Sequence, residues 1–260
     1  MIDLTSKTAK KRYHAYLLRQ NAIFENRMAK KLIPVLRGQW NDAADQIADG
    51  TSNFIITRSD KLLEVLRDEM LKIGLWYFGE FNNSLEALQV QKFLMSYNLK
   101  QEIDIDDFMQ SFQPWLEGRA AEEITKINDT TRSLIRVSLK RSLESGKTYY
   151  EASKDIKEVG SITSNYRAMR IARTELHTAS GEATQISAEK STVKIKEKEW
   201  STAGDERVRS ESFNHVAADG ERVKLEEYYV NTGESLRYPG DSMGSGGNII
   251  NCRCVSLFDT

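Results

Sequence analysis

The chain has 260 residues, with 37 lysines and arginines against 38 aspartates and glutamates and a formal net charge of −1. That length suits one large or two modest domains with a real core, and the balance of charge argues against a dedicated nucleic-acid coat, which carries a basic excess. There is no apolar run of about 18 residues, the start MIDLTSKTAKKRYHAYLL is basic rather than a signal peptide, and two cysteines separated by one residue make no secreted-type disulfide framework. A soluble protein of a reducing cytoplasm, without a membrane partner, is expected.

Ser6 to Leu36 reads as a long helix carrying Lys7, Lys10, Lys11, Arg12, Arg19, Arg27, Lys30 and Lys31, with Arg37 just beyond, against only Asp3 and Glu25. Such a run is either a solvated face or a phosphate contact, and in the second case Lys7, Lys10, Lys11 and Arg12 are the candidates for touching nucleic acid. Pro34 and Gly38 are expected to end this helix. A short acidic helix from Trp40 to Ala48 and a turn at Gly50 to Asn53 should follow. Ser59 then suits an N-cap. The run to Leu94 places Leu62, Leu63, Leu66, Met70, Ile73, Trp76 and Tyr77 on one helical face. Gly74 and Gly79 should loosen or end it. Trp76, Tyr77, Phe78 and Phe81 read as core or interface rather than a ligand box. Asp104, Asp106 and Asp107 lack the rest of a calcium loop and suit the first turn of a Phe108 to Leu116 helix.

Asp129 or Thr130 is expected to cap a helix through Leu134, Ile135, Leu139 and Leu143, with Gly146 at C′. Thr148 and Glu151 form a capping box for a helix from Tyr149 to Val159. After a break at Gly160 to Ser164 comes a helix lined by Ala168, Ala172, Ala179, Ala183 and Ala188. From Lys194 the chain changes character. Strand-like runs at Lys194 to Trp200, Arg222 to Leu225 and Ile249 to Leu257 alternate with turn signals at Asp219-Gly220, Pro239-Gly240 and Gly244 to Gly247. The Asp219-Gly220 pair predicts a hairpin between Val216 and Val223. The fold class is therefore α+β. A mainly helical region over 1–125 precedes a small module over 126–260, with helices across 130–190 and short antiparallel strands across 193–260.

The chemistry concentrates in that module. Arg173 and Glu175, within Ile171 to Glu175, are candidates to face it and to join Asp205, Arg209, His215 and Arg253 in a structural polar network. A strand through Asn251 to Cys254 would turn Cys252 and Cys254 to one face and Arg253 to the other. With His215, and His177 or Asp205 in reserve, the two thiols are a donor set for structural zinc. Two buried thiols beside a hydrogen-bonded histidine, or a redox pair, fit the same residues. A catalytic thiolate with His215 has no supporting motif: there is no nucleophile elbow and no phosphate loop. A non-enzymatic role is expected.

The ordered set IARTE, KEWSTAGDERVRSESFNH, DGERV, LRYPGD and NIINCRC resembles the head morphogenesis domain of Mu F-like phage minor head proteins, across Lys126 to Phe258. The resemblance implies a low-copy structural protein of a tailed-phage head. It would associate with the portal protein inside the capsid, assist head assembly and DNA packaging or delivery, and meet packaged double-stranded DNA and other capsid or scaffolding proteins. Assembly would take place in the host cytoplasm.

Overall fold

The structure, a computed structural model, describes residues 6–93 and 104–260, with the side chains of 85–93 outside the description; Asp3 and Leu94 lie outside the described residues. Four long helices come first: α1 (Lys7–Ala48), α2 (Ser59–Phe93), α3 (Ile105–Glu144) and α4 (Tyr149–Lys190). Strand β1 (Glu197–Ser201), one-turn helix α5 (His215–Ala218), β2 (Arg222–Lys224), one-turn helix α6 (Gly246–Ile249) and β3 (Val255–Asp259) complete the chain. The class is α+β, as the sequence pattern indicates.

Several expected helix ends are absent. α1 continues through Pro34 and Gly38 to Ala48, α2 through Gly74 and Gly79, α3 past Leu116, Asp129 and Thr130, and α4 through Gly160 to Ser164. Packing overrides local propensity here. A Cβ on Gly38 would lie 2.3 Å from Arg58 Nε, one on Gly74 2.3 Å from Phe112 Cζ, and one on Gly160 2.5 Å from Trp40 Cβ. These glycines admit a neighbour against the helix backbone, and a helical glycine costs only about 0.5–1 kcal/mol relative to alanine. Thr130 and Ser164 return their hydroxyls to the carbonyls of Lys126 and Gly160 instead of capping. Ser59 is the first residue of α2, and its hydroxyl accepts from Asn128.

Other ends form as their chemistry dictates. Asp104 Oδ1 accepts from the Asp106 N–H at 2.9 Å at the start of α3. Gly146 has φ +78°, and the Gly146 and Lys147 N–H groups close on Leu143 and Ser142 carbonyls as a Schellman motif. The Thr148 N–H donates to Glu151 Oε2 at 2.8 Å while the Glu151 N–H donates to Thr148 Oγ1 at 3.3 Å.

The chain forms two compact units that alternate along the sequence: one comprises Met1–Phe24, Met70–Trp115 and Arg173–Thr260, the other Glu25–Glu69 and Leu116–Ala172. The division expected near residue 125 falls inside α3. In the second unit Trp40, Ala43, Ala44, Ile47, Phe54, Ile56, Ile135, Leu139, Ala152 and Ile156 form a continuous core. Fully buried Glu69 is held there by Arg27 at 2.5 Å and Lys31 at 2.7 Å.

In the first unit a sheet of order β2-β1-β3 is antiparallel throughout, with Glu199 opposite Arg222 on one side and Leu257 on the other. β2 therefore pairs with β1, and the expected hairpin partner at Val216 is helix α5 instead. The turn that leads out of α5 uses Gly220 at φ +84°, its N–H donating to the Trp200 carbonyl at 2.8 Å. The glycines from 244 to 247 are packed rather than free: a Cβ on Gly244 would meet Leu236 at 2.8 Å and one on Gly247 would meet Phe213 at 2.5 Å. Of the aromatic residues expected to be core, Tyr77, Phe78 and Phe81 are buried and Trp76 is half-buried, with Phe78 against Phe108 and Phe81 against Phe258.

Two helical glycines should respond to alanine in opposite directions. Gly160→Ala drives a methyl into Trp40 and should destabilise by about 1–3 kcal/mol, whereas Gly79→Ala, with nothing within 4 Å of the new carbon, should stabilise by about 0.5–1 kcal/mol. Urea unfolding of both variants checks this, and equal effects would show that close packing does not explain the unbroken helices.

Candidate functional site

The C-terminal module is seated on the last part of α4 by a polar stripe. Thr174, Thr178, Glu182, Gln185 and Glu189 recur every three or four residues and so share one face. Thr174 Oγ1 accepts from the Asn251 N–H at 3.2 Å, and Thr178 Oγ1 donates to the Gly240 carbonyl at 2.9 Å. Tyr238 donates to Glu182 Oε2 at 2.5 Å, Gln185 Nε2 donates to the Leu225 carbonyl at 3.3 Å, and Arg237 Nη2 donates to Glu189 at 3.0 Å. Gly181 lies on this side because a Cβ would sit 2.4 Å from the Tyr238 ring. Burial raises the Glu182 carboxyl above its ordinary value, against the pull of the Tyr238 hydrogen bond and Arg237.

Beyond the stripe is a buried cluster of soft and imidazole donors. His215 opens α5, while Cys252 and Cys254 lie on the approach to β3; their exposures are 1 %, 2 % and 2 %. Their donor atoms all lie within 4.8 Å of one another, with His215 Nδ1 3.4 Å from Cys254 Sγ and 3.7 Å from Cys252 Sγ. The strand expected across Asn251 to Cys254 begins only at Val255, because Asn251 takes φ +58° in the turn after α6. The alternation nevertheless holds: both thiols point inward and Arg253 turns toward Asp205.

A hydrogen-bond chain fixes which His215 nitrogen faces the sulfurs. The Glu234 carboxylate only accepts, and it takes the Asn248 Nδ2 donor at 3.0 Å and the Ser245 N–H at 2.9 Å. Asn248 Nδ2 also donates to Thr232 Oγ1 at 3.2 Å. Asn248 Oδ1 must then be the atom 2.7 Å from His215 Nε2. Nε2 carries the proton, and Nδ1 offers its lone pair to the two thiols. Burial pushes the Cys252 thiol up, but the Cys254 thiol and the His177 and His215 imidazoles outweigh it and bring Cys252 below the ordinary thiol value; Cys254 is raised by Cys252 and by burial.

Of the remaining expected polar residues, Arg209, Arg173 and Asp205 bond to the segment from Ile250 to Arg253. Arg253 donates to Asp205 through Nη1 at 2.9 Å and Nη2 at 2.6 Å, holding the carboxyl well below the usual carboxylate range. Arg209 Nη2 donates to the Ile250 carbonyl, and Arg173 Nη1 to Asn251 Oδ1 at 3.4 Å. Glu175 is buried on α4, and His215 belongs to the thiol cluster. Asp205 is committed to Arg253 and does not join the thiols.

His14 of α1 was not legible as part of this arrangement. Its ring nitrogens lie 3.0 Å from Ser201 Oγ and 2.9 Å from the Arg253 carbonyl, and burial lowers its pKa. Of the basic residues considered for nucleic acid, Lys7, Lys11 and Arg12 are exposed, whereas Lys10 Nζ pairs with Glu199 of β1 at 2.6 Å.

A small antiparallel sheet seated on a long helix, with a buried Cys/His cluster beside it, defines a small α+β module. Residues 133–257, just under half of the chain, match the family model described as Phage Mu protein F like protein. The matched stretch starts in α3, ends in β3 and includes every residue of the cluster, and it supports a structural role in phage head morphogenesis. Comparison with curated proteins and with solved structures gives no match. Among the described residues, no helix is long and apolar enough to cross a membrane.

Lys198, on the central strand, is 1 % exposed. Its Nζ donates to the Arg237 carbonyl at 2.7 Å and lies 5.3 Å from the Tyr229 ring centre. Burial, chiefly, brings its pKa down to about 8. Because the unfolded value is higher, near 10.4, the unfolded chain binds more protons between those values and this lysine's contribution to stability rises with pH across that window. Relative to Lys198→Met, the wild type should gain on the order of 1–3 kcal/mol in unfolding free energy between pH of about 8 and about 10.5. Denaturant unfolding across that range checks it, and a constant difference would show that the ammonium is not penalised by burial.

Proposed function

We propose that the chain is a structural minor head protein of a tailed phage, placed inside the capsid next to the portal and assisting head assembly and the packaging or delivery of DNA. The observation that carries this reading is the family match over 133–257, whose short motifs from Arg173 onward lie in one compact unit. LRYPGD supplies Arg237 and Tyr238 to the α4 contact, with Asp241 accepting from the Arg237 N–H, while NIINCRC supplies Cys252 and Cys254 to the donor cluster and Asn248 to His215. Those motif residues hold the module together, as a structural protein requires. Burial of both thiols and His215 favours holding the fold over nucleophilic attack on a substrate. We read the cluster as a site for structural zinc, held by His215, Cys252 and Cys254.

The partner expected is the portal ring, with packaged DNA reached through the exposed Lys7, Lys11 and Arg12. Purified portal and purified full-length chain should co-migrate, and the complex should persist when salt is raised from about 50 to about 200 mM, the range over which phosphate contacts lose orders of magnitude in affinity. Lys11→Glu with Arg12→Glu should leave portal binding intact and weaken retention on double-stranded DNA. Failure to bind the portal, with DNA retention that collapses in salt and in the double variant, would replace this reading by a DNA-binding one. Failure to bind either would remove both.

A further inference from the structure

Within the second unit, α3 and α4 share an outer groove with apolar walls. Their register is fixed by two side-chain bonds: Arg167 Nη1 donates to Thr131 Oγ1 at 2.9 Å, and the Ser142 hydroxyl donates to Asp155 Oδ2 at 2.6 Å. The helices therefore run antiparallel. Thr131, Leu134, Ser138 and Ser142 succeed one another at three or four residues, so Leu134 belongs to the strip of α3 that meets α4. Val137 and Arg141 continue from Leu134 at the same spacing on the solvent side. On α4 the corresponding strip runs through Asp155, Val159, Ile162 and Tyr166, and it is the edge toward α3 because Asp155 is the residue that reaches Ser142.

Leu134, Val137, Ile162 and Tyr166 thus border one groove, and they are 38 %, 55 %, 68 % and 67 % exposed. Single apolar side chains scattered over a surface need no explanation, but four from two helices along one groove mark a contact surface.

The charges along the groove state what kind of partner fits. Its carboxylates are already engaged, Asp155 with Lys147 at 2.7 Å and Glu144 with Lys140 at 3.7 Å. Arg141, at one end, is exposed and makes no ion pair among the described residues. At the other end the Arg170 guanidinium lies 5.5 Å over the Tyr166 ring. With 1.5 Å of rise per residue, the two arginines stand about 20 Å apart along the groove, the length of a helix of about 13 residues. An apolar middle with a guanidinium at each end complements a third helix whose apolar seam repeats every three or four residues and whose flanks carry carboxylates. A phosphate backbone would use the arginines and leave the apolar middle uncovered.

We propose that the α3–α4 groove receives an amphipathic helix of a partner protein, with its apolar seam on Leu134, Val137, Ile162 and Tyr166 and its carboxylates on Arg141 and Arg170. This rests on the structural role proposed above and gives that role a contact surface and a kind of partner.

The test titrates the full-length chain with a labelled helical peptide of about 18 residues that carries a leucine seam and glutamate flanks, and with the same peptide bearing lysine in place of glutamate. The glutamate peptide should bind saturably, and the lysine peptide at least about tenfold more weakly. Ile162→Glu and Tyr166→Ala should each weaken the glutamate peptide about tenfold or more, with urea unfolding unchanged because both side chains face solvent. Arg141→Glu should weaken the glutamate peptide and strengthen the lysine one, an exchange that damage to the fold does not produce. No binding, equal binding of the two peptides, or binding that Ile162→Glu and Arg141→Glu leave unchanged would overturn the proposal. A wild-type dimer in sedimentation that Ile162→Glu turns into a monomer would assign the groove to a second copy instead. Portal binding measured in parallel separates the two readings. A portal complex formed without any peptide binding, and indifferent to Ile162→Glu, removes the groove proposal alone, whereas peptide binding without a portal complex removes the portal reading alone.

Discussion

The geometry of the C-terminal module depends on how the short segment from Ile250 to Arg253 is held. Arg209 takes the Ile250 carbonyl, Thr174 takes the Asn251 N–H, Arg173 takes the Asn251 side chain, Asp205 takes the Arg253 guanidinium, and His14 lies against the Arg253 carbonyl. Asn251 sits in the left-handed region at φ +58°, a conformation that a non-glycine residue keeps only where its surroundings enforce it. The reward is directional: with backbone and flanking side chains fixed on several sides, Cys252 and Cys254 enter the interior and meet His215. Released from that grip, the same residues would be two thiols on a loop.

Polar contacts act beside buried Leu176 and Ile186 to seat the module on α4. Ala179, Ala183 and Ala188 are buried, and their small side chains bring backbones close without adding much apolar surface, so Thr174, Thr178, Glu182, Gln185 and Glu189 supply the specificity. Each neutral hydrogen bond contributes only about 0.5–1.5 kcal/mol net, yet leaving one buried partner unmade costs more than the bond contributes. A surface of this kind has one acceptable register. A shift of the helix by one turn would strand Glu182 and Lys198 in the interior without partners, which buried ionisable groups do not tolerate.

The sequence made some of this legible and hid the rest for identifiable reasons. Local chemistry was readable: Gly146, the Thr148–Glu151 box and Asp104 form their expected ends because each satisfies backbone groups within a few residues. What failed was the use of Pro34, Gly74, Gly160 and Thr130 as stops. Each costs a helix about a few kcal/mol at most, and Phe112 and Trp40 fill the space at two of them with contacts from residues far away in sequence. The donors His215, Cys252 and Cys254 were visible as residue types, but their tautomer and common interior depend on Asn248 and Glu234, which nothing in their spacing marked. Lys198 and His14 carried no signal either, since a buried lysine in a strand and a histidine in a basic helix both look like surface residues until their partners are known.

The first helix illustrates how structure redistributes a charge pattern. Read as a string, α1 opens with a basic cluster that suggests phosphate. In the fold Lys10 is bonded to Glu199 of the central strand and His14 to the Arg253 carbonyl between the two cysteines, so the same turns of helix also serve the module. Charge that neutralises a partner inside the protein is unavailable to release counterions from DNA. Any nucleic-acid contact by this end must come from Lys7, Lys11 and Arg12, which point to solvent. Loss of binding on changing Lys10 would report on the attachment of α1 to the sheet as much as on DNA. The two roles are separable because successive residues of a helix face different directions: Lys10 and His14, four apart, lie on the face toward the module, while Lys11 and Arg12 do not.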